Sequence, residues 1–379
     1  MPDAYLSQEI RVLVPLGPRA YEVRVTSGDP GGCGPFARSA LDATWAGKAC
    51  RAALIVTDRN VAGLDYLPDC RAALDRVGIE GRPVVLPAGE PTKCLESVVK
   101  LYDELTAMRA DRHTVVVALG GGVIGDLAGF VAATYARGLS LLMLPTSLLA
   151  QVDSSVGGKV GINHPRAKNI IGAFHQPVGV WIDTETLNSL PARELRCGLA
   201  EVVKYGVILD AAFFGELETR AQSILDRRGE ALRSIVGRCC RLKADVVAKD
   251  EREETGLRAV LNFGHTIGHA IEAVAGYDGA FQHGEAVAAG MIAECHLAER
   301  LGWIGPEITL RLSRLLERFG LPVAISGLDP DRLIDAMGRD KKNQRGKVRF
   351  VLPRALGRVE LTDAASPDDV HAVLTALCK

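Results

Sequence analysis

Five short runs of aliphatic, often β-branched residues recur between residues 52 and 183, and segments with helical periodicity separate them. The runs are AALIVTD (52–58), RPVVLP (82–87), TVVVALG (114–120), LSLLMLP (139–145) and VGVWID (178–183). Continuous apolar runs of this kind are typical of parallel strands that are buried on both faces of a sheet. The pattern restricts this part of the chain to a parallel α/β architecture and predicts an α/β domain over residues 1–187.

The pattern changes after about residue 187, where amphipathic helices replace the alternation. Apolar residues recur with helical spacing in the segments 192–207, 228–249, 263–276, 284–301 and 306–319. Two late strand-like runs, VRFVLP (348–353) and GRVELT (357–362), predict a small hairpin within this half. We therefore predict a second, mainly α-helical domain over residues 188–379.

The overall charge excludes several classes of partner. The chain has 379 residues with 45 basic and 46 acidic side chains, so no global field attracts nucleic acid or an anionic membrane. No apolar stretch approaches the roughly 20 residues of a membrane span, and we expect a cytoplasmic protein.

Nine scattered cysteines without a CxxC pair predict reduced thiols. The segment 27–36, rich in Gly and Pro, predicts a surface loop without an assigned role.

A glycine-rich turn follows the third of the five runs. Gly120, Gly122 and Gly125 fit the pattern GxGxxG. They lie between a predicted strand and a helix that opens near Val123, the context in which a helix N-terminus binds a pyrophosphate in a Rossmann-like domain. A tight turn that needs glycine only for steric reasons is the alternative. No acidic residue follows about 20 positions later to bind the ribose, so this contact must come from elsewhere. The candidates after earlier strands are Asp58, Glu90 and Lys93.

Histidines cluster late in the chain. His265 and His269 form HxxxH, which places both on one face of a helix, and His283 follows in HGE at the start of the next helix. A carboxylate would complete such a metal site, and Glu201 in GLAEVVKYG is the candidate because its neighbours are apolar. Three protein ligands with an open position would make the metal catalytic.

Basic side chains accompany these motifs in turns and at helical spacing. Asn262 lies four residues after Arg258, so both can face the same side of a helix. Most lysines in a protein of this composition are simply solvated, but these lie beside glycine turns and histidines. The candidates for anion contacts are Lys159, Lys204, Lys243, Arg258, Lys341 and Lys342.

Five ordered motifs resemble those of the 3-dehydroquinate synthases, a family of sugar phosphate cyclases. They are PTSLLAQVDSSVGGKVGINHPRAKNIIGAFHQP, GLAEVVKYG, LNFGHTIGHAIE, HGEAVAAGM and DKKNQRGKVRFVLP. The resemblance extends from about residue 53 to about residue 362. It implies a homodimeric enzyme that binds NAD and zinc, with cobalt as a substitute metal. The substrate implied is a small sugar acid phosphate.

The resemblance also implies roles for individual residues. The zinc ligands would be Glu201, His265 and His283, whereas His269 would face the substrate. Arg137, in YARG, would reach the phosphate from the neighbouring subunit. The remaining substrate set implied is Asp153, Lys159, Asn169, Lys204, Lys243, Arg258, Asn262 and Lys342 or its neighbour Lys341. The NAD contacts implied are Glu90, Lys93, Gly121, Gly122, Val123, Asp126, Thr146, Ser147 and Lys168, to which we add Asp58 and Lys159.

The reaction implied is redox-neutral overall. NAD oxidises a ring hydroxyl held on zinc, phosphate leaves by β-elimination as its own base, and NADH returns the hydride. An intramolecular aldol closure then gives 3-dehydroquinate in the shikimate pathway.

Other interpretations remain at this point. One is a metal- and NAD-dependent polyol dehydrogenase, against which the basic residues argue. A second is a related cyclase for another substrate. The combination of Arg258, Asn262 and His269 argues against a substrate without a carboxylate, but an amino-substituted substrate would need the same residues. A third is an inactive relative that only binds ligands, against which the intact metal and lysine sets argue.

Overall fold

The computed structural model describes residues 9–45, 49–276, 281–341 and 348–378. The chain folds into two compact units. Unit 1 comprises the chain up to Leu190 together with Gly229–Arg252, and unit 2 comprises Pro191–Arg228 together with the chain from Glu253 onward. The predicted boundary between residues 187 and 188 placed Gly229–Arg252 in the second domain, whereas this segment belongs to unit 1. Helical periodicity identifies an element, but it does not identify the surface on which that element packs.

Unit 1 is built on a seven-stranded sheet with the order β1-β2-β9-β6-β5-β3-β4. Its strands are β1 (Ile10–Val14), β2 (Tyr21–Thr26), β3 (Ala52–Asp58), β4 (Glu80–Leu86), β5 (Val115–Gly120), β6 (Ser140–Pro145) and β9 (Gly179–Asp183). β1 and β2 pair antiparallel, and the other neighbours pair in parallel. The five predicted strands are β3, β4, β5, β6 and β9, so the predicted parallel α/β fold is confirmed.

Helices cover this sheet, and a hairpin lies outside it. The helices are α1 (Cys33–Trp45), α2 (Arg59–Ala62), α3 (Tyr66–Arg76), α4 (Leu95–Ala107), α5 (Gly122–Thr134) and α8 (Gly229–Lys249), and the hairpin strands are β7 (Lys159–His164) and β8 (Ala167–Phe174). Helix α8 packs on β1. The approach is close enough that a Cβ atom at Gly237 would lie only 2.8 Å from Ile10 Cδ1. The Cys240 thiol, on the same helix, donates to the Gln151 carbonyl oxygen at 3.3 Å.

The central strand explains the unbroken apolar runs of the sequence. Every residue of β5 is buried, since the strand lies inside the sheet between β3 and β6 and helices cover the sheet. After β3, the chain first forms β4, which pairs with one edge of β3. It then returns to form β5, which pairs with the other edge of β3. The carboxyl ends of β3 and β5 therefore meet at a topological switch point, where open α/β sheets bind their ligands.

The segment predicted as a surface loop, 27–36, is only partly a loop. Helix α1 begins at Cys33, and both Cys33 and Phe36 are buried. The prediction was wrong for residues 33–36 because glycine here serves close packing: a Cβ atom at Gly34 would lie 2.1 Å from the Ala73 carbonyl oxygen of α3. The Gly-rich composition permits this approach of α1 to α3.

Unit 2 is mainly helical. Its helices are α6 (Ala192–Leu209), α7 (Ala211–Leu225), α9 (His265–Ala275), α10 (His283–Arg300), α11 (Pro306–Arg318), α12 (Pro330–Lys341) and α13 (Pro367–Leu377). The strands β10 (Phe350–Ala355) and β11 (Arg358–Thr362) form the predicted antiparallel hairpin. A core cluster joins α9, α10, α12, β10 and α13 through residues such as Ile271, Leu297, Leu333 and Leu374.

Two expectations concern the chain as a whole. Within the described ranges, no helix has both the length and the apolar character needed to cross a bilayer. All nine cysteines, each of which lies in a described range, are free thiols, as expected for reduced residues.

Candidate metal and nucleotide sites

A carboxylate and two imidazoles converge within unit 2. Glu201 lies in the middle of α6, whereas His265 and His283 are the first residues of α9 and α10. His265 Nε2 lies 3.4 Å from Glu201 Oε1, and His283 Nε2 lies 3.6 Å from the same oxygen. The ligand atoms of all three residues lie within 4.8 Å of one another. The structure therefore brings together the three predicted metal ligands.

The spacing of these atoms suits a tetrahedral zinc ion. Zinc binds imidazole nitrogen and carboxylate oxygen at about 2.0–2.1 Å, so two ligand atoms of one tetrahedron lie about 3.3 Å apart. The two distances to Glu201 Oε1, 3.4 and 3.6 Å, are close to that value. One carboxylate with two imidazoles is also a donor set found in catalytic zinc sites, in which a fourth position is left for a substrate oxygen.

Electrostatics within the cluster depend on burial. Glu201 is fully buried, and the ammonium group of Lys204, one turn later on α6, contacts its carboxylate. Burial, followed by the nearby Lys204 charge, lowers the pKa of His265 to about 3. Although burial opposes it, hydrogen bonding to Glu201 and Glu272 raises the pKa of His283 to about 10. Without a metal, His265 therefore favours the neutral form and His283 the protonated form, so binding of a metal would require His283 to release its proton.

Hydrogen bonds at Nδ1 orient both imidazoles. His265 Nδ1 donates to the Phe263 carbonyl oxygen at 3.1 Å, and His283 Nδ1 donates to Glu272 Oε2 at 3.1 Å. Each bond leaves Nε2 directed at Glu201, the arrangement by which carboxylates and carbonyls fix metal-ligating histidines.

His269 belongs to another group of side chains. It is exposed, and its imidazole can share an ion with Glu272 and His283, whereas no such group in the described ranges joins His265 with His269. The simplest HxxxH interpretation, in which both histidines bind one metal, therefore does not describe the site. The substrate contact that the resemblance implies for His269 stays a prediction.

A close backbone contact sets the distance between α6 and α10. A Cβ atom at Gly284 would lie 2.2 Å from the Cys197 carbonyl oxygen of α6. Only glycine permits this approach. Because Gly284 follows His283 directly, the contact holds His283 near the helix that carries Glu201.

The expected helical pairing of Arg258 and Asn262 was wrong. Both residues lie in a 3₁₀ helix, Leu257–Asn262, in which residues three positions apart, and not four, are eclipsed. Arg258 is accordingly buried, with its Nε 3.5 Å from Glu253 Oε1, while Asn262 is exposed. Lys342 lies outside the described residues, and the side chain of Lys341 is not described either.

The glycine turn of unit 1 forms as predicted. Gly121 caps the N-terminus of α5, which begins at Gly122. A Cβ atom at Gly121 would lie 3.3 Å from Ser147 Oγ, and one at Gly122 would lie 3.1 Å from Ser154 Oγ. The missing side chains leave the amides of this turn accessible beside Ser147, as close approach of a pyrophosphate requires. Val123 lies in the first turn of the same helix.

A buried lysine connects three segments next to this turn. Lys93 follows β4, and its Nζ donates to Asp126 Oδ2 of α5 at 2.5 Å and to Asn169 Oδ1 of β8. Burial raises the pKa of Asp126, and the Lys93 charge opposes that shift. Glu90 accepts a hydrogen bond from Asn163 Nδ2 at 2.7 Å. Asn163 Oδ1 in turn accepts a hydrogen bond from the Asn169 backbone N–H at 2.9 Å. Four predicted nucleotide or substrate residues, Glu90, Lys93, Asp126 and Asn169, therefore lie in one network with Asn163.

The other predicted residues of unit 1 lie at strand ends and turns. Asp58, at the end of β3, accepts hydrogen bonds from the backbone N–H groups of Asn60 and Val61 and so caps α2. Lys243 of α8 donates to Asp153 Oδ1 at 2.5 Å and to its carbonyl oxygen at 2.8 Å. The placements of the rest are Thr146 after β6, Lys159 at the start of β7, Lys168 in β8, and Arg137 in the exposed turn before β6.

Comparison with known proteins assigns the chain to a family. Residues 83–197 match the 3-dehydroquinate synthase N-terminal model, and residues 198–343 match the 3-dehydroquinate synthase C-terminal model. The 3-dehydroquinate synthase of Desulforamulus reducens is 51% identical over 323 residues, which cover 85% of this chain and 89% of the relative. The chain belongs to the 3-dehydroquinate synthase family. The family predicted from the motifs is confirmed.

A second relative and a solved structure extend the comparison. The 3-dehydroquinate synthase of Symbiobacterium thermophilum is 48% identical over 365 residues, covering 96% of this chain and 99% of the relative. A solved structure of ValA, the 2-epi-5-epi-valiolone synthase of Streptomyces hygroscopicus subsp. jinggangensis, has NAD⁺ and Zn²⁺ bound. It is 28% identical with a TM-score of 0.82, covering 94% of this chain and 96% of that chain. The fold is therefore that of the sugar phosphate cyclases.

Sequence reasoning missed several residues of this 3-dehydroquinate synthase family member. Glu272, the partner of His283, lies seven residues after His265, and this helical spacing could have identified it. Asn163 gave no such signal. A cavity of about 270 Å³ beside Thr146 is lined by Trp181, Asp183 and Glu185 at the end of β9, a strand at which no nucleotide contact was predicted.

Proposed function

We propose that this chain catalyses the 3-dehydroquinate synthase reaction, the conversion of 3-deoxy-D-arabino-heptulosonate 7-phosphate to 3-dehydroquinate and phosphate. The observation that carries the proposal is the 51% identity, over 85% of the chain, with a curated enzyme of that name. The activity is that of a carbon–oxygen lyase that eliminates phosphate. In comparison, the identity to the valiolone synthase, a related cyclase, is 28%.

Within unit 2, Glu201, His265 and His283 would hold zinc, or cobalt in its place. When bound, the metal would supply a Lewis acid at a substrate oxygen, and NAD would accept a hydride and return it. The donor set supports this assignment through its spacing. Lys204 would place a buried positive charge beside the site.

Within unit 1, the turn at Gly121 and Gly122 would bind the pyrophosphate of NAD through its amides. The short contacts of Lys93 hold its ammonium group at the carboxyl ends of the strands, where a nucleotide is expected. Of the proposed nucleotide contacts, Thr146 alone lines the cavity of about 270 Å³ at the end of β6. The nucleotide set that we propose is Asp58, Glu90, Lys93, Gly121, Gly122, Val123, Asp126, Thr146, Ser147, Lys159 and Lys168.

Substrate recognition would rest on cations and amides. Lys159, Asn169 and Lys204 would bind phosphate and hydroxyl oxygens. Lys243, Arg258, Asn262 and His269 would bind the carboxylate end. A dehydrogenase that acts on an uncharged polyol has no use for these residues, and each charge-assisted contact contributes about 1.5–3 kcal/mol.

We also propose a cytoplasmic homodimer in which Arg137 binds phosphate in the neighbouring subunit. Ala136 and Arg137 both have left-handed backbone conformations, with φ of 47° and 65°. Two consecutive left-handed residues other than glycine cost about 1–2 kcal/mol each. This strained turn presents an exposed guanidinium group, and a function for Arg137 would account for a turn of this energetic cost.

One assay tests the reaction. With substrate in large excess over NAD, phosphate should be released to completion while absorbance from NADH stays flat, since the hydride returns before the product leaves. Deuterium at the oxidised carbon should be retained in 3-dehydroquinate. Accumulation of NADH in step with substrate loss would instead identify a dehydrogenase. Equal turnover of an analogue without the carboxylate would point to another cyclase.

A further inference from the structure

The start of helix α9 lacks a side-chain cap of its own. Its N-cap residue is Gly264, with φ of 80°, and glycine offers no oxygen to the free N–H groups of the first turn. His265, one of the proposed zinc ligands, is the first residue of this helix. The direction of its side chain therefore depends on what satisfies these N–H groups.

A buried carboxyl group from another helix takes that position. Glu294, on α10, has no exposed surface, and its Oε2 accepts a hydrogen bond from the Gly264 backbone N–H at 2.7 Å. The backbone N–H groups of Thr266 and Ile267 also face this carboxyl group. Glu294 thus supplies the acceptor that an N-cap side chain would ordinarily provide.

Glycine permits close backbone contact between the start of α9 and helix α10. A Cβ atom at Gly290 would lie 2.1 Å from the Gly264 carbonyl oxygen, and one at Gly264 would lie 2.5 Å from Met291 Cγ. The start of α9 therefore lies directly against α10. Because α10 also begins with His283, one helix carries a proposed zinc ligand at its first residue and, about three turns later, the carboxyl group that holds the segment bearing the other imidazole.

The His265 ring depends on this segment twice. Its backbone follows Gly264 directly, and its Nδ1 donates to the carbonyl oxygen of Phe263 on the other side of Gly264. A shift of Gly264 would move both the base of the side chain and the hydrogen bond that sets its rotation. Nε2 of His265, now 3.4 Å from Glu201 Oε1, would then move relative to the other ligands.

We propose that Glu294 is a positioning residue, which caps α9 from α10 and thereby directs His265 Nε2 at the metal. The proposal rests on the zinc site put forward above, and it adds a role for a residue that touches neither metal nor substrate. Glu294 acts as a hydrogen-bond acceptor at a fixed reach, so an amide of the same length should replace it.

The test compares Glu294→Leu, which removes the acceptor at similar volume, with Glu294→Gln, which retains a carbonyl oxygen at the same reach. Cys295→Ala is the matched control, because Cys295 is buried on the same helix but faces Thr309 of α11. Zinc affinity is measured by competition with a chromogenic chelator, and ligand geometry by the visible absorption of the cobalt-loaded protein. Glu294→Leu should bind zinc at least about tenfold more weakly and change the cobalt spectrum. Glu294→Gln should stay within about threefold of the wild type.

Several results would overturn the proposal. A folded Glu294→Leu protein with wild-type zinc affinity and cobalt spectrum would do so, as would a glutamine variant as weak as the leucine variant or an equal loss in Cys295→Ala. Should Glu294→Leu fail to fold, Glu294→Asp carries the test, because it keeps the carboxyl group but shortens its reach, and wild-type metal binding would again refute it. His265→Ala separates the two proposals: if that variant keeps its zinc and its cobalt spectrum, the zinc site itself is wrongly assigned.

Discussion

The contact between Glu201 and Lys204 allows the metal role of Glu201 to be separated from its structural role. The two side chains are 0% and 2% exposed, so each provides a buried countercharge to the other when no metal is bound. Removal of one partner from a buried pair costs about 3–5 kcal/mol, because the remaining charge is left uncompensated. Glu201→Gln should therefore lower the melting temperature of the metal-free protein by roughly 10 °C and remove a zinc ligand at once.

A second substitution should reverse only one of these effects. In Glu201→Gln/Lys204→Met, the ammonium group that lost the Glu201 carboxylate is gone as well, so part of the lost stability should return. Recovery should be incomplete, since Glu201 also raises the pKa of His283. Zinc should not return, because Lys204→Met restores no ligand.

The assay is calorimetry of the single and double variants in the presence of a chelator, together with metal analysis after dialysis against zinc. Lys204→Met alone is the matched control, and it should lose stability without losing the carboxylate ligand. Stoichiometric zinc in Glu201→Gln would refute the metal assignment. A double variant no more stable than the single one would refute the charge argument.

Three further predictions address other groups. Glu272→Gln should weaken zinc binding about tenfold, because the amide replaces a charged acceptor at His283 Nδ1, and unchanged affinity in a chelator competition would contradict this. Arg258→Ala should lower kcat/KM for the natural substrate by a factor that corresponds to a loss of about 1.5–3 kcal/mol in transition-state stabilisation. An equal loss with an analogue lacking the carboxylate would exclude the assigned contact. Burial lowers the pKa of His175, so the folded state resists its protonation and loses stability as the pH falls from about 6.5 toward that lowered pKa. In urea titrations, His175→Gln should lose less stability than the wild type over that window, and parallel pH profiles would refute the prediction.

Local patterns sufficed to predict the elements of this protein. The runs at β3, β5 and β6 predicted strands because parallel strands whose two faces are covered by helices carry continuous apolar residues. The glycines at the start of α5 were identified for a similar reason, since the strand-turn-helix context is contained in a dozen consecutive residues. The ordered motifs added the family, which in turn implied the zinc ligands.

Tertiary structure alone decided which distant side chains meet. Gly229–Arg252 has the periodicity of any amphipathic helix, yet it packs with the sheet unit. The spacing of Arg258 and Asn262 suggested a shared helical face, but the segment forms a 3₁₀ helix, whose turn holds fewer residues. Glu294 lies 29 residues after His265 in the sequence, and no periodicity connects them. The hydrogen bond from Gly264 to Glu294 exists because Gly264 and Gly290 let two backbones touch, and such contacts depend on how helices pack and not on the local pattern of either helix.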